Sequence, residues 1–235
     1  MRAISAAILA GGLGSRLRSV LADRPKVLAP VGGRPYLTYL LDRLAGAVFA
    51  EVVLLTGFRA DLVWDALGDH YAGLRLIHSP EPQPLGTAGA LRHALPFLTA
   101  PTILLLNGDS YCNADLRRFC RSHRQRRADV SLVVSRTTDT ARFGKVRLGP
   151  EGCIIGFEEK NAAGGPGWIN AGIYLLQRKL ITAIEPDKPL SLERDLFPAW
   201  VQQRRLHAFR THFGCLDIGT PQSYAEALAH GVDPS

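Results

Sequence analysis

The chain has 235 residues, a formal net charge of +7 and 46% hydrophobic residues. This length fits one large domain, and the apolar content is ordinary for a globular protein. No apolar run approaches the roughly 18–20 residues that span a bilayer, and the first residues lack the pattern of a cleavable signal peptide. We therefore expect a cytoplasmic protein without a membrane partner.

The first half of the chain alternates apolar strands with helical segments. Strands are predicted at 4–9, 51–56, 74–78 and 102–106, and helices at 36–44, 60–71, 87–97 and 117–127. Such alternation favours a mainly parallel sheet with helices on both faces. After Asp129 strands predominate, predicted at 130–135, 144–148, 153–157 and 169–176, and two helices follow at 191–203 and 221–229. The pattern predicts a single α/β domain over residues 1–235.

A glycine-rich turn follows the first strand. Residues 10–18 are Ala-Gly-Gly-Leu-Gly-Ser-Arg-Leu-Arg, with Lys26 a little further on. Glycines bring backbone N–H groups against phosphate oxygens because no Cβ blocks the approach, and Arg16 and Lys26 add positive charge. The spacing is not that of a Walker A motif, and Leu17 stands where a dinucleotide fingerprint has its third glycine. The motif predicts a polyphosphate-binding loop; the alternative is a tight turn without a ligand.

Two aspartates each end a short apolar run. Asp109 follows Leu-Leu-Leu-Asn-Gly at the carboxyl edge of the predicted sheet, where open α/β folds bind ligands. Asp217 stands in Cys-Leu-Asp-Ile-Gly-Thr-Pro. Both suit Mg²⁺, which takes one or two carboxylates together with phosphate oxygens. The alternatives are that Asp109 forms a turn or helix cap for the segment starting near Asn113, and that Asp217 only forms a turn.

The basic residues and the cysteines are less informative. The basic run at 117–127 predicts the solvated face of a helix, since a nucleic-acid patch would also carry interleaved aromatic residues. We therefore expect no nucleic-acid partner. Cys112, Cys120, Cys153 and Cys215 have no C-x-x-C spacing, which favours free structural thiols over a disulfide frame or a zinc site.

These motifs resemble the signature of sugar-1-phosphate nucleotidylyltransferases, and the likeness covers almost the whole chain. Its motifs, in family order, are the loop at 10–17, Pro25-Lys26-Val27-Leu28, Leu85-Gly86-Thr87-Ala88, Asn107-Gly108-Asp109, Phe143-Gly144-Lys145-Val146, Phe157-Glu158-Glu159-Lys160, Ile169-Asn170-Ala171-Gly172 and Asp217-Ile218-Gly219-Thr220-Pro221. Ser15 departs from the commoner Thr but keeps the hydroxyl group. The resemblance implies a Rossmann-like, GT-A-type three-layer sandwich with a mainly parallel mixed sheet.

The resemblance also implies a reaction. An oxygen of the sugar 1-phosphate attacks the α-phosphorus of a nucleoside triphosphate in line, which gives an NDP-sugar and pyrophosphate. Because the phosphate is already anionic at neutral pH, no general base is needed, and catalysis consists of positioning and charge neutralisation. Arg16 would stabilise the departing pyrophosphate, and Lys26 would bridge the phosphates of the two substrates.

Further roles follow from the resemblance, position by position. Residues 1–128 would mainly bind the nucleotide, and 129–235 mainly the sugar phosphate. The implied nucleotide-binding residues are Leu9, Ala10, Gly11, Gly12, Gly14, Ser15, Glu81, Gly86, Thr87 and Asp109. Asp109 and Asp217 would hold Mg²⁺. The implied sugar-phosphate residues are Gly144, Glu158, Glu159, Lys160 and Asn170, with either Glu158 or Glu159 binding sugar hydroxyls.

Glu81 suggests which base is bound. In uridylyl members a Gln stands five residues before the Gly of the Leu-Gly-Thr motif, and this chain has Glu81 there. A carboxylate only accepts hydrogen bonds, and guanine offers two donors side by side, whereas uracil and thymine would oppose oxygen to oxygen. Such a mismatch costs about 1–3 kcal/mol. Guanine is favoured; the alternative is that Glu81 faces solvent and Gln83 contacts the base.

Within the family, the chain is most similar to D-glycero-α-D-manno-heptose 1-phosphate guanylyltransferases, which supply GDP-heptose for capsule or other surface polysaccharide, including lipopolysaccharide. The expected partners are GTP and a sugar 1-phosphate, and a homo-oligomer is compatible with the sequence. The alternatives are a uridylyl- or cytidylyltransferase, a GT-A glycosyltransferase, a catalytically silent nucleotide-binding protein and a nicotinamide dehydrogenase. A glycosyltransferase would usually show Asp-x-Asp, but Tyr111 stands at the second position.

Overall fold

The computed structural model describes residues 4–17, 20–21, 23–47, 49–141, 144–158, 164–203 and 206–232. The strands in these ranges are β1 (Ile4–Ala10), β2 (Pro30–Val31), β3 (Arg34–Pro35), β4 (Glu51–Thr56), β5 (His70–Tyr71), β6 (Leu74–Pro80), β7 (Thr102–Asn107), β8 (Ser110–Cys112), β9 (Val130–Thr137), β10 (Lys145–Leu148), β11 (Ile154–Glu158), β12 (Gly167–Gln177), β13 (Leu206–Thr211) and β14 (Cys215–Asp217). The helices are α1 (Tyr36–Gly46), α2 (Ala60–Leu67), α3 (Gly86–His93), α4 (Leu116–Arg126), α5 (Arg178–Thr182), α6 (Phe197–Gln202) and α7 (Pro221–His230). Across these described ranges, every helix is too short or too polar to cross a membrane.

Eight strands form one mixed sheet in the order β13-β9-β12-β7-β1-β4-β6-β5. β1 is parallel to β4 and β7, β4 is parallel to β6, and β13 is parallel to β9. β12 is antiparallel to both of its neighbours. Because β1, β4 and β7 run the same way, the loops that follow them meet at one edge of the sheet. The predicted mainly parallel mixed sheet is confirmed.

The helices cover both faces of this sheet, because successive strand residues point to opposite sides. Ile8 and Leu54 pack on one face, in a core that also contains residues of α1, α2, α4 and α7. Ala7 and Leu55 pack on the other face, with residues of α3, α5 and α6. The resulting three-layer sandwich is the predicted Rossmann-like architecture.

Several predicted boundaries are wrong for local reasons. The helix predicted at 60–71 ends at Leu67, since Gly68 has a φ of +60° and residues 70–71 form β5. The helix predicted at 87–97 ends at His93, shortly before Pro96, which disfavours helical backbone at the residue preceding it. The helix predicted at 191–203 is a π-helical turn, Leu192–Leu196, followed by α6, whose first turn contains Pro198.

Candidate active site

The glycine loop, residues 11–14, leaves the carboxyl end of β1. A Cβ on Gly11 would lie 2.9 Å from Glu81 Oε1 and 3.1 Å from the backbone nitrogen of Gly57. Gly14 has a φ of +58°, which residues with side chains rarely adopt. Glycine is therefore required at Gly11 by close packing and at Gly14 by the backbone conformation.

A cavity of about 390 Å³ lies beside this loop. The predicted site residues in its wall are Leu9, Gly11, Gly12, Gly14, Ser15, Lys26, Glu81, Gly86, Thr87 and Asp109. Three residues predicted for the nucleotide or the metal do not contribute to this wall: Ala10 is buried at the end of β1, Arg16 is exposed, and Asp217 lies on β14 opposite Ser110. The residues predicted for the sugar phosphate that the structure describes do not contribute to it either. The structure thus brings together most of the side chains that the sequence assigns to the nucleotide.

A larger cavity of about 1030 Å³ opens at the opposite edge of the sheet, where β1 and β7 begin. Arg117, Arg121 and Arg124 of α4 contribute to its wall, but none of the predicted site residues does. Ligands of open α/β sheets bind beyond the carboxyl ends of the strands. We therefore assign the candidate site to the smaller cavity.

Asp109 forms an ion pair with Lys26 in the cavity wall. The Lys26 side chain is only 13% exposed, whereas that of Asp109 is 33% exposed. Ser110 Oγ donates a 3.0 Å hydrogen bond to Asp109 Oδ1. Burial raises the pKa of Asp109, but the Lys26 ammonium and the Ser110 hydroxyl outweigh burial and hold this pKa below its ordinary value. Asp109 is therefore an ionised carboxylate at neutral pH.

Asp109 does not cap the helix that follows it. Helix α4 begins at Leu116, and its cap is Asp115, whose Oδ1 accepts a 2.9 Å hydrogen bond from the backbone N–H of Arg118. The helix-cap alternative for Asp109 is wrong, whereas Asp109 does lie in the turn between β7 and β8.

Asp217 is held next to Asp109 by a short antiparallel ribbon of β8 and β14. Asp217 lies opposite Ser110, and the N–H of Ile218 donates a 3.0 Å hydrogen bond to the carbonyl of Asp109. Burial and the negative charge of Asp109 raise the pKa of Asp217. The two carboxylates thus converge, and a cation between them would relieve their repulsion. Asp217 also forms a turn, since its Oδ1 accepts the N–H of Gly219.

Glu81 lies at the other end of the cavity. Its Oε2 accepts a 3.1 Å hydrogen bond from the N–H of Leu85, and its Oε1 packs against Gly11 and Gly57. Burial raises the pKa of this carboxyl group. Gln83 is exposed and does not contribute to the cavity wall. The geometry turns Glu81 inward and leaves Gln83 outside; that Glu81 contacts the base stays a prediction.

The sugar-phosphate residues are only partly described. Gly144, with a φ of +74°, precedes β10, and Asn170 lies at an irregularity in β12. Glu158 is exposed at the end of β11, with its Oε1 3.9 Å from Arg147 Nε. Glu159 and Lys160 lie outside the described residues. The choice between Glu158 and Glu159 as a sugar ligand stays open.

A hydrogen-bonded chain links the two halves of the molecule, and sequence reasoning missed its central residue, Glu193. Thr87 Oγ1 donates to Glu193 Oε2 at 2.7 Å, and Tyr174 Oη donates to Glu193 Oε1 at 3.0 Å. Asn170 Nδ2 in turn donates to Tyr174 Oη at 2.9 Å. The hydroxyl of Thr87 also accepts the N–H of Leu192 at 2.8 Å, so it is engaged with protein groups. We refer to Thr87, Glu193, Tyr174 and Asn170 as the bridging network.

Asn107 is a second residue to which the sequence assigned no role. Its Oδ1 is buried without a hydrogen-bond partner among the described residues, and Asn107 lines the cavity. A buried polar atom is nearly always paired in a folded protein. The sequence feature that could have identified Asn107 is its position in the motif Asn107-Gly108-Asp109, at the end of β7.

A glycine loop and paired aspartates at the carboxyl edge of a parallel sheet define a nucleotide-binding α/β enzyme. Comparison with known proteins identifies the family within this class: residues 5–232 match the model of the Nucleotidyl transferase family. The chain belongs to this family, and the predicted relationship is confirmed.

Its relatives are sugar-phosphate enzymes. Mannose-1-phosphate guanylyltransferase of Mycobacterium tuberculosis is 34% identical, over 99% of this chain and 66% of that protein. D-glycero-alpha-D-manno-heptose 1-phosphate guanylyltransferase of Aneurinibacillus thermoaerophilus is 31% identical, over 95% of this chain and 96% of that protein. The structure of HddC from Yersinia pseudotuberculosis complexed with GMP-PN aligns with a TM-score of 0.85 at 31% identity, over 96% of this chain and 98% of that chain.

Proposed function

We propose that this protein transfers a guanylyl group from GTP to a sugar 1-phosphate, forming a GDP-sugar and pyrophosphate. The observation that carries the proposal is the single cavity in which the glycine loop, Lys26, Asp109 and Glu81 meet. This arrangement offers backbone amides and positive charge for phosphates at one end and a hydrogen-bond acceptor for a base at the other. The two relatives described above are both named guanylyltransferases.

The glycine loop, Lys26 and Arg16 are the groups that would act on the phosphates. Amides of the loop would hold the triphosphate, and Lys26, fixed by Asp109, would lie between the phosphates of the two substrates. One oxygen of the sugar phosphate forms a bond to the α-phosphorus while the bond to the β-phosphate oxygen breaks. Arg16 would neutralise charge on the leaving pyrophosphate; its exposure leaves its guanidinium free to move toward the phosphates.

Asp109 and Asp217 fit a Mg²⁺ site. The described parts of the chain contain no cluster of three or more His, Cys, Asp or Glu that could form a metal cage. The site therefore supplies two carboxylates and leaves the other positions to phosphate oxygens and water, which is the coordination Mg²⁺ prefers. When bound there, Mg²⁺ neutralises phosphate charge and aligns the reacting groups.

Glu81 would determine the choice of base. Its carboxylate is half-buried beside the glycine loop, and each oxygen retains a lone pair beyond the contacts described above. The paired N–H groups of guanine match such an acceptor, whereas uracil would present an oxygen to it. The predicted preference for GTP depends on this contact.

Residues 129–235 would mainly bind the sugar phosphate, through Gly144, Asn170, Lys160 and Glu158 or Glu159. We propose D-glycero-α-D-manno-heptose 1-phosphate as the sugar substrate, on the resemblance of the motifs and on the relatives of that name. The product would serve surface polysaccharide synthesis in the cytoplasm. Mannose 1-phosphate is the second candidate, because the M. tuberculosis relative of that name is 34% identical.

A substrate panel tests the proposal. The protein is incubated with Mg²⁺ and each of GTP, UTP, CTP and dTTP, paired in turn with heptose 1-phosphate and mannose 1-phosphate, and pyrophosphate release is measured. GTP with heptose 1-phosphate should give the highest kcat/KM. Equal or faster turnover with UTP would overturn the guanine assignment, and faster turnover with mannose 1-phosphate would overturn the heptose assignment. Omitting Mg²⁺ should abolish pyrophosphate release.

A further inference from the structure

Two of the four cysteines face each other beside the candidate active site. Cys112 ends β8 and Cys215 begins β14, and the two residues are direct partners in the register of this antiparallel ribbon. The sequence, which separates them by about a hundred residues, predicts unrelated structural thiols; the topology instead makes them a pair.

The hydrogen bonds of the ribbon determine whether Cys112 and Cys215 form a hydrogen-bonded or a non-hydrogen-bonded pair. The N–H of Ile218 donates to the carbonyl of Asp109, so these two residues form a hydrogen-bonded pair. Hydrogen-bonded and non-hydrogen-bonded pairs alternate along an antiparallel ladder. Three steps further along, Cys215 and Cys112 therefore form a non-hydrogen-bonded pair. Such pairs have Cα atoms about 4.5 Å apart, within the range of about 4.4–6.8 Å found in disulfides.

The two cysteines also differ in access. Cys112 is fully buried, whereas Cys215 is partly exposed and follows the exposed Phe213. Cys120 and Cys153 lie elsewhere, on α4 and next to the start of β11. An oxidant can therefore reach the pair from the side of Cys215, and the buried Cys112 lies directly opposite it in the ribbon.

We propose that Cys112 and Cys215 form a reversible disulfide that controls the geometry of the two aspartates. Hydrogen peroxide oxidises one of the two thiols to a sulfenic acid and is reduced to one molecule of water. The sulfur of the other cysteine then attacks the oxidised sulfur, the S–S bond forms, and the hydroxyl leaves with the proton of the attacking thiol as a second water. Two thiols thus lose two electrons to one peroxide, and a dithiol reductant restores both.

The bond acts on the site through the ribbon. Cβ atoms of directly opposed strand residues are about 4.5–5.5 Å apart, whereas a disulfide brings them to about 3.5–4.5 Å. Closing the bond therefore draws β8 and β14 together by up to about 1 Å, only two residues from Asp217 and three from Asp109. A misplacement of about 1 Å near reacting groups can cost about a hundredfold in rate. This consequence for turnover rests on the proposed function, whereas the disulfide itself does not.

The experiment treats the reduced full-length protein with one equivalent of hydrogen peroxide and maps its peptides without reduction. We expect a peptide pair linking Cys112 to Cys215 and unmodified thiols at Cys120 and Cys153. Pyrophosphate release from GTP should fall at least about tenfold and return after dithiothreitol. Cys215→Ser should resist this loss, and Cys153→Ser, the matched control, should show it in full.

The disulfide and its effect on turnover can be refuted separately. A peptide map without the Cys112–Cys215 link overturns the pair, whether or not the protein turns over GTP. A complete link with unchanged turnover overturns the control of the aspartates. Loss of activity in Cys215→Ser equal to that of the unaltered chain would locate the sensitive thiol elsewhere. A reduced protein that forms the link but never uses any nucleoside triphosphate contradicts the proposed function while upholding the pair.

Discussion

The two sides of the candidate site are built in different ways. The phosphate-binding wall is made of short segments that follow single strands: the glycine loop after β1, and Asp109 directly after β7. The proposed sugar-phosphate wall depends on contacts between distant segments, since Asn170 is positioned by Tyr174 and Tyr174 by Glu193. The phosphate-binding wall depends on the local backbone conformation, whereas the sugar-phosphate wall depends on the register of the whole sheet. Substitutions on the two sides should therefore affect different kinetic constants.

The largest effect is expected at the phosphate side. Asp109→Asn removes a charge that holds Lys26 and that would hold Mg²⁺. Loss of one electrostatic contact in a reacting site typically lowers kcat by about 10²–10³-fold, and we expect at least that loss, with the fold retained. Pyrophosphate release and thermal unfolding measure the two properties.

Asp115→Asn is the matched control for that substitution. It removes the same charge six residues away, at the cap of α4, where asparagine caps as well as aspartate does. Its activity should be unchanged. An active Asp109→Asn protein would show that this carboxylate is not a metal ligand.

Glu81→Gln tests whether the base is recognised in the cavity that also contains the glycine loop and Asp109. The amide brings a donor to a position where guanine also presents donors, which should cost about 1–3 kcal/mol. The ratio of kcat/KM for GTP over UTP should fall by about 5- to 150-fold, while the KM for the sugar phosphate stays the same. Gln83→Ala, on the exposed neighbour, should leave this ratio unaltered. A shift with Gln83→Ala and none with Glu81→Gln would assign base recognition to Gln83.

Glu193→Gln addresses the opposite side and should have a smaller effect. Its carboxylate accepts hydrogen bonds from Thr87, Ser191 and Tyr174. An amide NH₂ must face at least one of these donors, which leaves it unpaired and loosens Asn170. We expect the KM for the sugar 1-phosphate to rise about fivefold, the equivalent of about 1 kcal/mol. The KM for GTP should rise less, because Thr87 keeps its hydrogen bond from the N–H of Leu192.

The control for Glu193→Gln is Glu185→Gln, because Glu185 is exposed and its carboxylate forms a surface ion pair with Lys188. It should leave both KM values unchanged. Equal rises in both KM values for Glu193→Gln would indicate general loosening of the fold and would contradict a role confined to the sugar-phosphate side.

The same contrast explains how far the sequence could predict the site. Gly11, Gly14 and Lys26 stand in one short stretch, where residue type alone indicates phosphate binding. Asp109 was predictable because it ends an apolar strand, and edges of parallel sheets carry ligands. These features depend on neighbours along the chain, and the structure places most of them around one cavity.

Other features depend on partners that a sequence does not display. The bridging network joins Thr87 to Glu193, 106 residues further on, through a π-helical turn that helical periodicity cannot distinguish from an α-helix. The pairing of Cys112 with Cys215 requires two three-residue strands, which are too short to show an alternating pattern. The sequence predicted the sheet and its layers because those follow from long periodic segments.

A last comparison sets the charged, partly buried Asp109 against the buried, neutral His123, and it concerns stability instead of turnover. Asp109 keeps its charge because Lys26 lies beside it. His123 forms no ion pair with any of the residues that the structure describes, and its Nδ1 contacts Ser131 Oγ at 2.8 Å. The pKa of His123 is lowered to about 4, mainly by burial; the charge of Asp129 partly opposes this shift, and the nearby His207 adds to it. Unfolded histidine has a pKa near 6.5.

Between pH 6.5 and about pH 4 the unfolded chain therefore binds a proton at His123 that the folded protein does not. Unfolding is favoured as the pH falls through this window, and the total loss is about 3 kcal/mol of unfolding free energy. His123→Asn should lower the unfolding free energy at pH 7. It should also reduce the slope of unfolding free energy against pH in this window, by an amount that corresponds to up to one bound proton. Urea unfolding at several pH values measures that slope. An identical slope in the two proteins would mean that His123 is charged when buried, and its environment would then resemble that of Asp109.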